Sequence, residues 1–480
     1  MYVDETQAWL LARDSRTWLQ MLGRLRYEGH PGLWYTLLYL PAHLGWSPVT
    51  MQVIAFALAL VMAALVLTER RIELHIRVLS TFSVAIFFYM GIMARSYIIA
   101  GVLLFGAARL LIAPERPRHW LAVLLLGLAI NTHFFAIPVA LALLVWGYAL
   151  APGRQRPLLL TGRLWGTVAA IGVSLALCFF TVRPAADIYT PHYERAGLSP
   201  MGYLILSVGR VWDYFTPFPL GALSVAKREV VGPWQHPSLI AAGITLVLWA
   251  VAISVLSSRR GRWFFVAVSL TWTVAVWATV HVPGPFHSSF LVLAFVIALC
   301  FDGADQEQRP WLGTAAARTV LTVLLAMQLP ITAHYWLEEF FLPFSGAKAT
   351  ADWLVTAGLQ HRPLIIAADI AAPSILAYDN IPAAYFPTCH CRGSFTVYRA
   401  GRDDKNQVSS SEIESIRRQF GVAPVILSYY EVPEETLTTA KMKLAYTSPK
   451  GAFWQFEDLH VYIANDSADS GTVLAKNGGE

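Results

Sequence analysis

Long apolar runs, separated by short polar segments, fill roughly the first 340 residues of the chain. A helix needs about 20 apolar residues to cross the hydrocarbon core of a bilayer, with about 17 as a lower limit. By that measure the sequence predicts about ten spans. They cover residues 49–67, 78–94, 98–113, 119–131, 134–150, 164–182, 239–256, 263–281, 287–301 and 318–336.

The orientation of these spans follows from the basic loops between them, because short arginine-rich loops stay in the cytoplasm. Such loops occur at 69–77, 115–118, 154–163 and 259–262. These loops lie on the same side of the membrane only if the apolar stretch 33–46 does not cross it. This stretch is short and contains Pro41, so it is predicted to be an interfacial or re-entrant helix. Residues 1–48, the segment 183–237 and everything after 337 then lie on the non-cytoplasmic face.

The pattern changes after about residue 340, where short apolar segments alternate with amphipathic helical stretches. Strands are predicted at 363–368, 395–398, 425–430 and 459–463, and helices at 348–357, 410–420 and 433–442. This alternation indicates a small α/β layer. The sequence contains no GxGxxG or Walker loop, so no nucleotide site is predicted.

Composition supports the membrane interpretation. The chain is 56% hydrophobic and 14% charged, with a mean hydropathy of +0.50, which leaves too few charges for a soluble surface. The cytoplasmic loops account for the net charge of +5, so no nucleic-acid partner is predicted. Four cysteines are too few for a disulfide framework. Cys389 and Cys391 leave open a metal site, a disulfide or, as favoured here, a local structural role.

The first charged residues of the chain are acidic and lie before the first predicted span. Asp4 and Glu5 open the chain, and Glu28 and His30 follow in a turn of the same external segment. Carboxylates placed beside a bilayer usually do chemistry or bind a ligand. The alternative is a solvated helix terminus, because Asp and Glu also favour the first turn of a helix.

Further polar residues sit at span ends on the same predicted face. Arg95, in the sequence Ala-Arg-Ser-Tyr that ends at Tyr97, either grips a lipid phosphate or anchors the chain among headgroups. His133 and His287 are either ligands or structural hydrogen-bonding groups. These residues could converge on one cavity or bind a divalent metal, although no ligand spacing requires a metal.

The order of these motifs resembles the GT-C superfamily of integral-membrane glycosyltransferases that use polyprenyl-phosphate-linked sugars. It is most similar to bacterial relatives of the protein O-mannosyltransferases and of the lipid A aminoarabinose transferases. The resemblance implies that Asp4 is the catalytic carboxylate and Glu5 its partner. It assigns Glu28 to the acidic position before the proline turn, and Arg95 and Tyr97 to the second external turn.

The chain departs from the family pattern in two places. Many relatives carry a further carboxylate shortly before the arginine, whereas residues 88–91 contain none. The family also has a transmembrane helix before the Asp-Glu loop. Either a further apolar segment is encoded upstream of Met1, which we favour, or the chain has lost that helix and is inactive.

The expected fold is an α-helical polytopic membrane protein with a C-terminal extracytoplasmic α/β domain. Residues 1–48 form an external catalytic loop with juxtamembrane helices, and residues 49–336 form the transmembrane domain. Residues 337–464 form the soluble domain, and 465–480 a disordered tail. By resemblance the protein belongs in the bacterial inner membrane, with its active site and C-terminal domain outside the cytoplasm.

The expected reaction moves a sugar from a polyprenyl-phosphate donor to a hydroxyl of a lipid, glycan or protein. Asp4 would act as the base, with inversion, because a single displacement needs one carboxylate. His30, Tyr97, His133 and His287 would bind substrate with Glu28 and Arg95. Whether the site binds a divalent metal is left open. The alternative is a non-catalytic membrane protein, either a transporter or a degenerate relative with a binding domain, but transporters place ionisable residues within spans.

Overall fold

The computed structural model describes most of the chain. The described residues are 3–112, 118–150, 162–188, 199–211, 239–279, 285–305, 310–341, 345–378, 381, 383–402, 407–449 and 459–465. The predicted tail after 465, and 189–198 and 212–238 of the predicted long external loop, lie outside them. The described part of that loop includes a helix, Pro200–Val211.

Helices make up most of the described chain. Three come first: α1 (Val3–Arg13), α2 (Trp18–Arg24) and α3 (Leu33–His43). The apolar region continues with α4 (Val49–Leu67), α5 (Leu74–Thr81), α6 (Ser96–Ile112), α7 (His119–Ile130), α8 (Ala136–Ala142), α9 (Gly162–Val182), α10 (Pro200–Val211), α11 (Leu239–Val255), α12 (Arg259–Thr279), α13 (Pro285–Ala304), α14 (Thr314–Ala326) and α15 (Gln328–Phe341).

Five helices of the described chain are long and apolar enough to cross a membrane: α4, α9, α12, α13 and the combined α14–α15. They coincide with five of the predicted spans. The other predicted spans are helical but shorter, at 10–17 residues. The chain therefore has several helices that suit a membrane protein, while the count of ten spans stays a prediction.

The predicted span 78–94 is interrupted. A short helix ends at Thr81, and a π-helical segment, Val84–Met90, begins after Ser83. Ser83 has an extended backbone, and its hydroxyl accepts from the N–H of Ile86 at 3.4 Å, so it caps the new segment. The chain then turns at Gly91, where a Cβ would lie 2.6 Å from the carbonyl oxygen of Phe87. This turn places Arg95 at the start of α6.

The C-terminal region forms one mixed sheet. Its strands are β1 (Leu364–Ile366), β2 (Ala384–Phe386), β3 (Cys391–Gly393), β4 (Val425–Ser428), β5 (Met442–Thr447) and β6 (His460–Ala464), in the order β3-β2-β1-β4-β6-β5. β1 is parallel to β2 and β4, and the other pairs are antiparallel. Its helices are α16 (Ala347–Thr356), α17 (Ala372–Leu376), α18 (Ser410–Phe420) and α19 (Glu434–Thr439).

Most sequence predictions for this region are confirmed. Three predicted strands correspond to β1, β4 and β6, and the three predicted helices to α16, α18 and α19. Helix α18 begins with a capping box formed by Ser409 and Glu412. Strands β2, β3 and β5 were not predicted.

The predicted strand 395–398 is wrong. This segment has no regular structure, because a side chain takes the place of a neighbouring strand. Nε2 of Gln7 in α1 donates to the carbonyl oxygen of Thr396 at 2.8 Å, and the N–H of Thr396 donates to Oε1 of Gln7 at 3.1 Å. The amide of Gln7 thus satisfies both backbone groups that a strand partner would bind.

The two regions pack directly on each other through α1. Helix α17 packs on α1, Nη1 of Arg13 donates to the carbonyl oxygen of Leu376 at 3.3 Å, and Ser394 donates to Asp14. Trp9 and Leu10 of α1 are fully buried. Protein therefore encloses α1, and the C-terminal domain lies over the beginning of the chain.

Candidate functional site

Asp4 and Arg95 form the centre of the candidate site. Asp4 lies in the first turn of α1, and Arg95 directly precedes α6. Nη1 of Arg95 donates to Oδ2 of Asp4 at 2.8 Å. The Arg95 side chain is 12% exposed and that of Asp4 is 43% exposed. Asp4 therefore offers an accessible carboxylate beside a nearly buried cation.

His30 contacts the same guanidinium. Nη2 of Arg95 lies 3.1 Å from Nε2 of His30, and Nδ1 of His30 lies 2.8 Å from the carbonyl oxygen of Glu28. Because a guanidinium can only donate, we assign Nε2 of His30 as the acceptor and place the ring proton on Nδ1. His30 therefore bridges the guanidinium of Arg95 and the backbone at Glu28.

Glu28 is the second carboxylate of the site. Its Oε1 accepts from Nε2 of Gln7 at 2.7 Å. Burial of the carboxylate raises the pKa of Glu28 to about 7, against the opposing effect of the Gln7 hydrogen bond. A carboxyl group that titrates near neutral pH is suited to proton transfer.

Glu5, predicted as the catalytic partner of Asp4, is buried and 5% exposed. Its Oε1 accepts from the backbone N–H of Ala94 at 2.6 Å. This bond ties the first turn of α1 to the residue before Arg95. The geometry therefore fits a positioning residue, which holds Arg95 against Asp4.

Tyr97, His133 and His287 form a cluster of rings next to Arg95. The hydroxyl of Tyr97 lies 3.3 Å from Nε2 of His287, and the ring centroids of Tyr97 and His133 are 4.8 Å apart. The centroid of His133 lies 5.5 Å from that of His287 and 6.2 Å from that of His30. The structure thus brings the predicted site residues together at one end of the apolar helices, while their roles stay predictions.

Sequence reasoning missed three residues at this site: Gln7, Tyr35 and Tyr398. Gln7 follows Asp4 by three positions in α1, a spacing that places both on one helix face and could have been noticed. Tyr35 and Tyr398 lie close enough to Asp4 and Glu28 to interact with them electrostatically. Tyr398 comes from the C-terminal domain, and no sequence pattern connects it to α1.

A divalent metal fits these residues poorly. Asp4 and His30 both contact the Arg95 guanidinium, whose positive charge repels a cation. Across the described ranges, no three His, Cys, Asp or Glu side chains are grouped to hold a metal ion. A cation held at this place suits an anion such as phosphate instead.

An apolar groove of about 490 Å³ lies beside the site, between α2, α3, α7 and α9. Its outer wall carries exposed large side chains: Trp18, Trp120, Leu124, Leu177 and Phe180. At its inner wall, the N–H of Leu33 donates to the carbonyl oxygen of Asn131 at 2.9 Å. Leu33 lies three residues after His30, and Asn131 two residues before His133. The groove therefore passes close to these histidines.

No family model, curated protein or solved structure matches the chain. The likeness to the GT-C superfamily therefore rests on the residues of this chain.

Proposed function

We propose that the protein is a membrane glycosyltransferase of the GT-C type, which moves a sugar from a polyprenyl-phosphate donor to a hydroxyl acceptor. The observation that carries this proposal is the contact of 2.8 Å between the half-exposed Asp4 carboxylate and Arg95 at the end of apolar helices. A base and a phosphate-binding cation are the two groups that this transfer requires.

In the proposed reaction, Asp4 accepts the proton of the acceptor hydroxyl. The hydroxyl oxygen bonds to the anomeric carbon, and the bond from that carbon to the donor phosphate oxygen breaks. The electron pair leaves with the phosphate, where Arg95 stabilises the growing negative charge. One displacement inverts the configuration at the anomeric carbon.

The surroundings of Asp4 support a lipid-linked donor. The apolar groove defined above is open on its outer side and suits a polyprenyl chain. Its inner wall adjoins His30 and His133, which with Tyr97 and His287 offer ring faces and polar edges to a sugar. Glu28 and Tyr398 lie close enough to Asp4 to interact with it electrostatically.

The proposed location is the external face of a bacterial inner membrane. Cys389 and Cys391 form a disulfide at the base of strand β3. Disulfides persist in oxidising compartments such as the periplasm. The disulfide therefore supports an extracytoplasmic position for the C-terminal domain, and for the site that this domain covers.

Replacing Asp4 with Asn tests the proposal. We expect a loss of transfer of about 10²–10⁴-fold, the usual contribution of a general base. Purified full-length protein would be supplied with a polyprenyl-phosphate hexose and a membrane extract as the acceptor source, with released polyprenyl phosphate as the readout. Asp352→Asn is the matched control, because Asp352 is exposed and pairs with Lys348 on α16.

Full transfer by Asp4→Asn, with the control also active, would reject Asp4 as the base. Absence of any transfer by the unaltered protein across sugar donors would favour the alternative, a non-catalytic membrane protein. Thermal unfolding of each variant shows whether the fold is intact.

A further inference from the structure

A second cavity, of about 740 Å³, lies between the N-terminal helices and the C-terminal domain. Four arginines line it, two from each side: Arg13, Arg24, Arg392 and Arg399. We call this space the arginine cavity. It contains none of the site residues described above.

Both carboxylates that line the arginine cavity are already paired. Asp14 accepts from Nε and Nη2 of Arg13 at 2.7 and 2.9 Å. Asp369 is ion-paired with Arg402, and both side chains are buried. The other three arginines, Arg24, Arg392 and Arg399, therefore give the cavity an excess of positive charge.

Two of these arginines, Arg24 and Arg392, use only some of their N–H groups in hydrogen bonds to the protein. Nη1 of Arg24 donates to the carbonyl oxygen of Asp14 and to Oγ of Ser15, and Nη2 of Arg392 donates to the carbonyl oxygen of Ala383. Within the described part of the chain, no protein acceptor binds Nε or Nη2 of Arg24, or Nε or Nη1 of Arg392. Adjacent N–H groups of this kind can bind a phosphate or carboxylate in bidentate fashion.

Arg399 adds a third cation at the rim. Its guanidinium lies over the ring of Tyr27 at 5.1 Å, and its Nε is 3.7 Å from the exposed Asp187. This ion pair is long and exposed to water, so it competes weakly with an incoming anion. Burial and the charge of Arg399 both lower the pKa of Arg24, against the opposing effect of Asp14. An anion between the two arginines would relieve their repulsion.

One segment, 394–399, separates the arginine cavity from the Asp4 site. Phe395, Val397 and Arg399 line the cavity. The intervening Thr396 binds Gln7, which in turn binds Glu28, and Tyr398 interacts with Asp4 and Glu28. A single segment of chain therefore separates the arginine cavity from the Asp4 site.

We propose that the arginine cavity binds the phosphate or carboxylate group of a saccharide acceptor. This inference rests on the proposed glycosyltransferase function and specifies its acceptor. The charged group sits against Arg24, Arg392 and Arg399, and the rest of the acceptor passes the edge of segment 394–399 towards Asp4. An uncharged sugar lacks the group that the cavity recognises.

Binding of glucose 6-phosphate to the full-length protein in phosphatidylcholine nanodiscs tests this proposal by calorimetry. We expect saturable binding that glucose does not reproduce. The double variant Arg392→Gln and Arg399→Gln should weaken binding by about tenfold or more, because each replacement removes a charged hydrogen-bond donor. Both residues are exposed, so folding should be retained. Arg318→Gln is the matched control, because Arg318 is exposed and pairs with Glu73 at the other end of the helices.

Equal affinity of the double variant and the unaltered protein, or equal binding of glucose, would overturn the proposal. Nanodiscs that contain phosphatidylglycerol identify the source of the anion. Competition by this lipid would show that the cavity binds a lipid headgroup and would overturn the saccharide assignment, whereas glucose 6-phosphate binding that this lipid does not weaken would support it.

Asp4→Asn separates this proposal from the proposed function. We expect this variant to bind glucose 6-phosphate normally while losing transfer. If Asp4→Asn transfers sugar normally, the catalytic assignment fails, and the double variant still decides whether the cavity binds anions. If transfer is lost but the double variant binds normally, only the acceptor site is wrong.

Discussion

The apolar helices carry charged residues at both ends, and the two ends differ in how those charges are arranged. Tyr97 and Arg109 stand at opposite ends of α6, about 18 Å apart along the helix. At the Arg109 end, Glu69 binds Arg71 at 2.7 Å and Arg109 at 3.3 Å. Asp305 there is ion-paired with Arg260.

The carboxylates at the two ends also differ in exposure. Glu69 and Asp305 have side chains that are 4% and 12% exposed, whereas Asp4 is 43% exposed. Asp4 lies near Tyr35, Tyr97 and Tyr398, and its partner Arg95 also contacts His30. A closed set of ion pairs stabilises structure, while an accessible carboxylate next to groups that can exchange protons is available for chemistry. A charged residue at a helix end therefore indicates a functional site only when its exposure and its neighbours also support one.

We call the end that contains Asp4 and Arg95 the open end, and the end that contains Glu69 and Asp305 the closed end. The largest expected effect tests the open end. Arg95→Ala should reduce transfer by about 10³-fold, because it removes the cation that the proposed reaction needs at the departing phosphate. Arg95→Lys keeps the charge without the bidentate geometry and should recover part of the rate. Single-turnover kinetics of donor cleavage measure both. Equal rates for the alanine variant and the unaltered protein would show that this end is no more functional than the other.

The matching change at the closed end should affect stability instead. Asp305→Ala leaves Arg260 without its partner in a buried place, at a cost of about 3 kcal/mol. We expect a lower thermal midpoint with an unchanged rate of transfer per folded molecule. A loss of rate at full stability would mean that the closed end takes part in function.

The end that contains Asp4 and Glu28 should also respond to pH. The pKa of Glu28 is about 7 in the folded protein and 4.5 ordinarily, so the folded state holds its proton more tightly than the unfolded state. This contribution to stability is complete below about pH 4.5 and is lost as the pH rises through 7, by at most about 3 kcal/mol.

Glu28→Gln keeps the acceptor for Gln7 but does not titrate. Chemical unfolding at pH 5 should therefore give similar stabilities for the two proteins, and at pH 8 the variant should be the more stable. A difference that does not change between pH 5 and pH 8 would show that Glu28 is not protonated near neutrality in the fold.

The smallest effect concerns the cysteines. Cys389→Ser with Cys391→Ser opens a very short loop and should lower the free energy of unfolding by about 1.5 kcal/mol. Cys300, close to the closed end, is free and buried. A membrane-impermeant maleimide applied to intact cells should label Cys389 and Cys391 only after reduction. Labelling of this pair only in broken cells would place the C-terminal domain in the cytoplasm.

Much of this organisation was predictable because hydrophobic patterns are local. The runs at 49–67 and 164–182 contain enough apolar residues to specify a long helix wherever they lie. The capping box at the start of α18 is local in the same way, because Ser409 and Glu412 are three residues apart. The break in the predicted span 78–94 could not be predicted in this way, because the extended backbone at Ser83 interrupts an otherwise apolar run.

Segment 395–398 shows where local reasoning fails. Phe395 to Tyr398 has the composition of a strand, but the partner that satisfies Thr396 is the side chain of Gln7, 389 positions away in the sequence. The disulfide is similar: the sequence left Cys389 and Cys391 open between three roles, and the hairpin of β2 and β3 brings them into a bond.

The sequence by itself determined which segments are apolar helices, where the α/β region begins and which polar residues stand at helix ends, since these depend on neighbours in the chain. Only the tertiary structure decided that Arg95 joins Asp4 and His30, that Glu5 holds the turn at Ala94, and that the C-terminal domain closes over them. Those contacts join residues far apart in the chain. Their formation depends on how the helices pack, which no local pattern encodes.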